Sequence, residues 1–293
     1  MPSLFTHLLI AEDALEALPV GRRRRHLEQH RQAYFLGALA PDLPYFDIFH
    51  SYRGLPFGPV LGPVTQSLES RVLNWLGWTL PEQSGFAQRM HGVNTHRTLQ
   101  GWSLWAGARH PVLQALVAGM VTHVAADEVL HPKVNADSGD EHSLEGLRRH
   151  REIEVNLDML LLRSRGVAVE QLQFSGLLES YLGRVDQRGE YLGPALKHQW
   201  VEASAVCDGA LALGRGDLDA WSRGFARAMQ LLDHRLSPMD QQRRQFLARG
   251  EEQWRTFFAR ERYFSSHVPR ASRTAQQRLA ETLGDSVPES AGV

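Results

Sequence analysis

Apolar residues recur along this chain at three- and four-residue steps, the spacing of helices that bury one face. Leu8, Ala11, Leu15 and Leu18 share one side of a segment from Phe5 to Leu18, with Ser3 or Thr6 to cap it and Pro19 and Gly21 to end it. The pattern restarts at the arginine run Arg22–Arg25 and continues through Ala33, Phe35 and Leu36 to Gly37, which predicts one helix. Pro41 and Pro44 then impose extended or turn geometry around Asp42. Residues 50–65 are rich in Gly and Pro and read as an irregular loop. Helical segments follow at Ser67–Trp78, from Thr95 through Trp105, along a central stretch opened by Pro111, and at Glu145–Arg163, with Asn135–Glu141 a polar loop between the last two. Beyond Arg165 come Leu172–Val185, Ala195–Leu213, Leu218–Leu236 and Pro238–Phe264, then one short helix after Val268. No strand-like alternation of convincing length interrupts them, so the fold class is all-α, a multi-helix bundle. The expected organisation is residues 1–165 as a metal-binding region, 166–265 as helices packed in the same domain, and 266–293 as a partly disordered tail.

Composition narrows the function. With 293 residues and 43% hydrophobic content, the chain can bury a substantial core. Its 32 basic and 33 acidic residues nearly cancel, leaving no strong signal for nucleic acid. Cys207 is the only cysteine, which excludes an intrachain disulfide and a Cys-based zinc site. The first residues lack the features of a signal peptide, and no run of about 18 apolar residues offers a transmembrane segment. A cytoplasmic protein is expected. Histidine is unevenly distributed: most of the 14 lie in the first 150 residues. His198, His234 and His267 stand apart from one another further on and read as surface or capping residues.

The central stretch, Ala118–Pro132, carries His123, Asp127 and His131 at four-residue steps, roughly one helical turn each. Leu113, Leu116, Val117, Met120 and Val124 project on nearly the side of Asp127 and His131, with His123 at the stripe's edge. A carboxylate on a buried face costs several kcal/mol, about 3–5, unless it is paired or bound to a cation. His150 and Glu154 form a second His-x-x-x-acid pair on another helix. Two such helices facing each other are how helical bundles build metal sites. Imidazole nitrogen with carboxylate oxygen is zinc-like ligation, which manganese or iron also accepts.

In this order the residues resemble the zinc-dependent phospholipase C family, whose helical fold is shared by single-strand-specific zinc nucleases. Thr6-His7-Leu8 matches the family's opening element, Asp42 its turn aspartate, His123-x-x-x-Asp127 its central pair, His131 the next histidine, and His150-x-x-x-Glu154 the last pair. His50, His91 and His96 are all candidates for the mid-chain histidine, and His91 is preferred because it lies in a loop before a helix. Family members that are secreted use a mature N-terminal tryptophan as a ligand, whereas this chain begins Met1-Pro2.

The resemblance implies a cluster of two or three Zn2+ ions between helices, with metal ligands His7, Asp42, His91, His123, Asp127, His131, His150 and Glu154. Asp127 would bridge two ions, and Asp42 would also orient the attacking water as the catalytic residue. The implied activity is phosphodiester hydrolysis by metal-activated water, with a small phosphodiester or phospholipid as substrate. Alternatives are a metal-binding helical protein without turnover, or a zinc nuclease. A His-Asp phosphohydrolase is disfavoured because the adjacent His-Asp dipeptide is missing. Trp75, Trp78, Trp102 and Trp105 offer either an apolar approach surface or core packing.

Overall fold

A computed structural model describes residues 4–46, 90, 95–107, 109–139, 143–186, 190–208, 213–233 and 238–284. Among these residues every regular element is helical, as the periodicity predicts. The helices are α1 (Leu4–Ala17), α2 (Arg22–Gln29), α3 (Arg31–Gly37), α4 (Thr95–Ala106), α5 (Pro111–Ser138), α6 (Leu144–Ser164), α7 (Phe174–Leu182), α8 (Pro194–Asp208), α9 (Arg215–Leu231), α10 (Pro238–Gln245), α11 (Glu251–Arg260) and α12 (Val268–Gly284). A 3-10 helix spans Ala40–Phe46, and π-helical turns at Phe246–Gly250 and Tyr263–His267 join the last three helices.

The bundle is built around α5. Its residues from Leu113 to Asp127 are all buried, and α12, α3, α4, α1 and α6 pack against it. An 18-residue window of α5 is long and apolar enough to cross a bilayer, with mean hydropathy 1.3, but 78% of that window is buried within the protein. A core helix surrounded by others satisfies the same measure, and that is the position α5 occupies.

Four departures from the sequence reading have physical causes. The helix expected over Arg22–Gly37 is two, broken at His30 (φ −111°, ψ 34°). The break lets α2 lie outside with only Leu27 buried, while α3 buries Ala33 through Gly37. The segment around Asp42, where extended or turn geometry is expected, is a 3-10 helix with Pro44 inside it. The polar loop expected from Asn135 is instead the last turn of α5, which runs on past Pro132 to Ser138. Lys133 anchors that turn by reaching Asp137 at 2.5 Å and Glu261 at 2.6 Å, and the Tyr263 hydroxyl donates to Asp137 at 2.9 Å.

The fourth departure is at the end of the chain. The single helix expected over Pro238–Phe264 is interrupted by the π turn at Phe246 and by Arg262, which has φ 59°. The short helix expected after Val268 is seventeen residues long and packs on α5, α1 and α4. Its buried positions are Val268, Ala271, Ala275, Leu279, Thr282 and Leu283, and the small alanines make a weak hydrophobic signal. The helix expected over Ser67–Trp78, with Trp75 and Trp78, lies outside the described residues. Trp102 is buried in the core against Trp200.

Candidate metal centre

The centre is set by a crossing of α3 and α5 that leaves no room for side chains. A Cβ on Gly37 would lie 1.9 Å from the Leu116 carbonyl oxygen, and one on Gly119 would lie 1.9 Å from that of Tyr34. Two glycines therefore let the backbones touch. The approach brings the carbonyl of Ala38, just past the end of α3, to 2.8 Å from His123 Nδ1. To bond a carbonyl, Nδ1 must carry the proton, so the lone pair is left on Nε2. That nitrogen points at carboxylates: Asp127 Oδ2 is 3.2 Å away and Asp42 Oδ2 3.8 Å. Asp42 comes from the 3-10 helix that follows the same crossing and is 2% exposed.

His7 enters from α1. Its ring stacks on His123 with centroids 3.9 Å apart and planes 15° apart, and its Nε2 lies 3.4 Å from Asp127 Oδ1. His7, His123 and Asp127 form one group whose donor atoms lie within 4.8 Å of one another. His131, His150 and Glu154 form a second. In it, Glu154 Oε1 is 3.1 Å from His150 Nε2 and 3.5 Å from His131 Nε2. His131 Nε2 is also 3.5 Å from Asp127 Oδ1, so one carboxylate touches both groups.

Electrostatics separates the histidines. Burial, reinforced by the neighbouring His123, pushes His7 down to about 4, so it is a neutral imidazole. Burial would also lower His131, but Asp127 and Glu154 overcome it and raise that histidine to about 9. Burial works against ionisation of Asp127, yet His131, His123 and His7 together hold it well below the usual carboxylate range. Glu154 is lowered in the same way against its own burial, chiefly by hydrogen bonds from His131 and His150. Two acids are thus kept ionised inside a helical core, where an anion needs a cationic partner.

These residues fit a divalent metal. Each group offers two imidazoles and a carboxylate with no sulfur, a donor set suited to zinc. The proton on His123 Nδ1 is held by a backbone carbonyl, the usual outer partner of a ligating imidazole. His7 Nδ1 is buried and has no hydrogen-bond partner among the described residues. Buried polar atoms in native proteins are rarely left so.

Of the residues singled out from sequence, His7, Asp42, His123, Asp127, His131, His150 and Glu154 converge here. His91, the preferred mid-chain histidine, and His50 lie outside the described residues. His96 Nε2 instead sits 3.9 Å from Glu281 on α12. His123, placed at the stripe's edge by the helical projection, is fully buried. The projection fails there because α5 is enclosed on every side over that stretch.

One residue went unnoticed. Asp158 lies four positions beyond Glu154, continuing the step that links His150 to Glu154, and it is fully buried. Its carboxylate accepts from the backbone of Phe5 (3.3 Å), the backbone of Thr6 (2.7 Å) and the Thr6 hydroxyl (2.7 Å). Extending the four-residue period by one step would have found it.

A sequence model of the family described as zinc dependent phospholipase C matches residues 6–202. That interval holds every residue of both groups and ends within α8. Neither the curated proteins nor the solved structures contain a match to this chain.

Proposed function

Because the chain belongs to the zinc-dependent phospholipase C family, the match covering residues 6–202, we propose that it hydrolyses a small or lipid-derived phosphodiester at the centre built on Asp127. The observation that carries this reading is the Asp127 carboxylate, buried and within 3.2–3.5 Å of the imidazoles of His123, His7 and His131. A carboxylate within reach of both groups would help to hold an ion in either, and ions held there would supply the Lewis acidity of a two-metal hydrolase.

His7, His123, Asp42 and Asp127 would hold one part of a zinc cluster, and His131, His150 and Glu154 another. Zinc bound there supplies Lewis acidity toward a phosphoryl oxygen and brings the ionisation of a water toward neutral pH. The chain's own groups do the rest. The Ala38 carbonyl keeps the His123 proton on Nδ1 and its lone pair turned inward. Asp42, buried beside His123, would orient the attacking water and accept its proton, in addition to serving as a ligand. Water oxygen bonds to phosphorus, the bond from phosphorus to the leaving oxygen breaks, and that oxygen takes up the proton the water released and leaves as an alcohol. With a phospholipid the products are diacylglycerol and a phosphorylated headgroup. The near balance of 32 basic and 33 acidic residues supports a compact phosphodiester over a long nucleic acid, whose binding rests on cationic contacts.

The test is zinc-dependent release of p-nitrophenol from bis-p-nitrophenyl phosphate and p-nitrophenylphosphorylcholine, with phosphatidylcholine and single-stranded DNA compared alongside. Asp127→Asn should reduce turnover to background. His198→Ala should leave it unchanged, since His198 is an exposed residue paired with Glu202. Zinc-loaded protein that turns over none of these substrates would leave a metal-binding bundle as the better description.

A further inference from the structure

Helices α1 and α7 begin in the same unusual way. Each carries in its first turn a Phe followed by a hydroxyl residue, Phe5-Thr6 and Phe174-Ser175, and the two phenyl rings pack with centroids 5.8 Å apart. In each, the two backbone N–H groups and the hydroxyl donate to a single aspartate brought from far along the chain. Asp158 of α6 serves α1. Asp233, just past α9, serves α7, with Phe174 N at 2.6 Å, Ser175 N at 3.1 Å and the Ser175 hydroxyl in contact. A carboxylate at a helix N-terminus satisfies orphan N–H groups and complements the helix dipole.

The two caps differ in what they carry. The residue after Ser175 is a glycine, whereas the residue after Thr6 is His7. Asp158 is fully buried, lies one turn beyond Glu154 on α6, and grips the residue next to His7. His7 itself has no hydrogen bond to the protein through Nδ1 among the described residues, so its ring is oriented by stacking on His123, by Asp127 Oδ1 at 3.4 Å from Nε2, and by the backbone that carries it.

We propose that Asp158 is the positioning residue that sets His7 against Asp127, tying the helix of the second metal group to the first ligand of the other. This rests on the metal reading above. It assigns Asp158 no contact with metal or substrate; it acts through Thr6 and the first turn of α1. Oxygen acceptors that orient a metal centre from outside contribute about 10- to 100-fold to metal affinity.

The experiment compares the parent, Asp158→Asn, Thr6→Val and Asp233→Asn for zinc affinity by chelator competition, zinc content by elemental analysis, and thermal unfolding. Asparagine keeps the size of Asp158 but presents an N–H pair to one of the donors, and Thr6→Val deletes only the hydroxyl donor. Asp233→Asn removes the same kind of cap from a helix with no metal-group residue. The expected result is a loss of about 10- to 100-fold in affinity for the weakest-held zinc in Asp158→Asn. Thr6→Val should show a smaller loss of the same ion, and Asp233→Asn parental affinity despite a lowered melting point. Parental zinc affinity in Asp158→Asn, or an equal loss in Asp233→Asn, would overturn the inference while leaving the metal reading in place. Should Asp158→Asn fail to fold, Thr6→Val decides: unchanged affinity refutes the proposal and a loss supports it. A parent chain that takes up no zinc would overturn the metal reading itself, and this inference with it.

Discussion

Replacing Gly119 by alanine tests whether the α3–α5 crossing builds the centre. The added Cβ would meet the Tyr34 carbonyl oxygen at 1.9 Å and Ala38 N at 2.7 Å, against about 3.4 Å for ordinary contact. The helices must therefore part by about 1.5 Å or their backbones must bend; overpacking of this kind costs about 1–3 kcal/mol. A displacement of that size also stretches the 2.8 Å bond from His123 Nδ1 to the Ala38 carbonyl beyond hydrogen-bonding range. Losing a buried bond costs a further ~1–3 kcal/mol. Against this, alanine in a helix gains at most about 1 kcal/mol over glycine. The net is a destabilisation of about 1–5 kcal/mol, a drop in melting temperature on the order of 10 °C. Zinc affinity should fall as well, because His123 loses the partner that fixes its tautomer. Scanning calorimetry and chelator competition on the purified variant measure both. A variant that melts at or above the parent, with unchanged zinc affinity, would show that helix propensity outweighs the clash and refute the reasoning.

Three further outcomes follow. Stripping zinc with EDTA should lower the melting temperature, because an ion present at about 1,000 times its Kd contributes about 4 kcal/mol to the folded state; a melting curve indifferent to EDTA would contradict the metal centre. Lys197, with 2% of its side chain exposed, contacts Glu190 and lies 2.7 Å from Asp219, so Lys197→Ala should cost about 1–3 kcal/mol in urea unfolding, because the buried Glu190 keeps only Arg223, at 3.6 Å, as a cationic partner, with zinc content unchanged. The same cluster predicts a pH effect. Burial would raise Asp219, but the hydrogen bond from Lys197 holds it below 3.8. Its contribution is therefore present above pH 3.8 and is lost as pH falls through the lowered folded value. The parent's urea midpoint should drop more steeply in that acid range than that of Lys197→Ala, and parallel curves would count against the assignment.

The helical class and most of the centre were legible because both rest on period. His123, Asp127 and His131 repeat at one turn, and a ligand set spaced by the helix itself survives translation from sequence to space. Asp42 was legible for another reason, since prolines on either side mark a fixed bend. What could not be read depends on contacts between distant segments. Gly37 and Gly119 are ordinary residues in sequence, 82 positions apart, and only the crossing shows that neither tolerates a Cβ. Asp158 reads as one more polar residue on a helix until its acceptors are seen to take the first N–H groups of α1. The central helix misled the projection in the opposite sense: enclosed on all sides, it has no solvent face for a polar stripe to mark. The break at His30 was invisible because helix propensity is similar on both sides of it, and the decision falls to burial.

The position of α12 against α5 has a consequence for how the protein comes into being. The central helix is complete at Ser138, but the helix that covers so much of it begins at Val268, about 130 residues later. At roughly 5–20 residues per second of synthesis, that interval lasts roughly 7–26 s. During it the nascent chain holds its longest described helix, and the ligands on it, without their final cover. A chain stopped before residue 268 would leave the face of α5 that α12 covers open to water, a surface for a chaperone to hold.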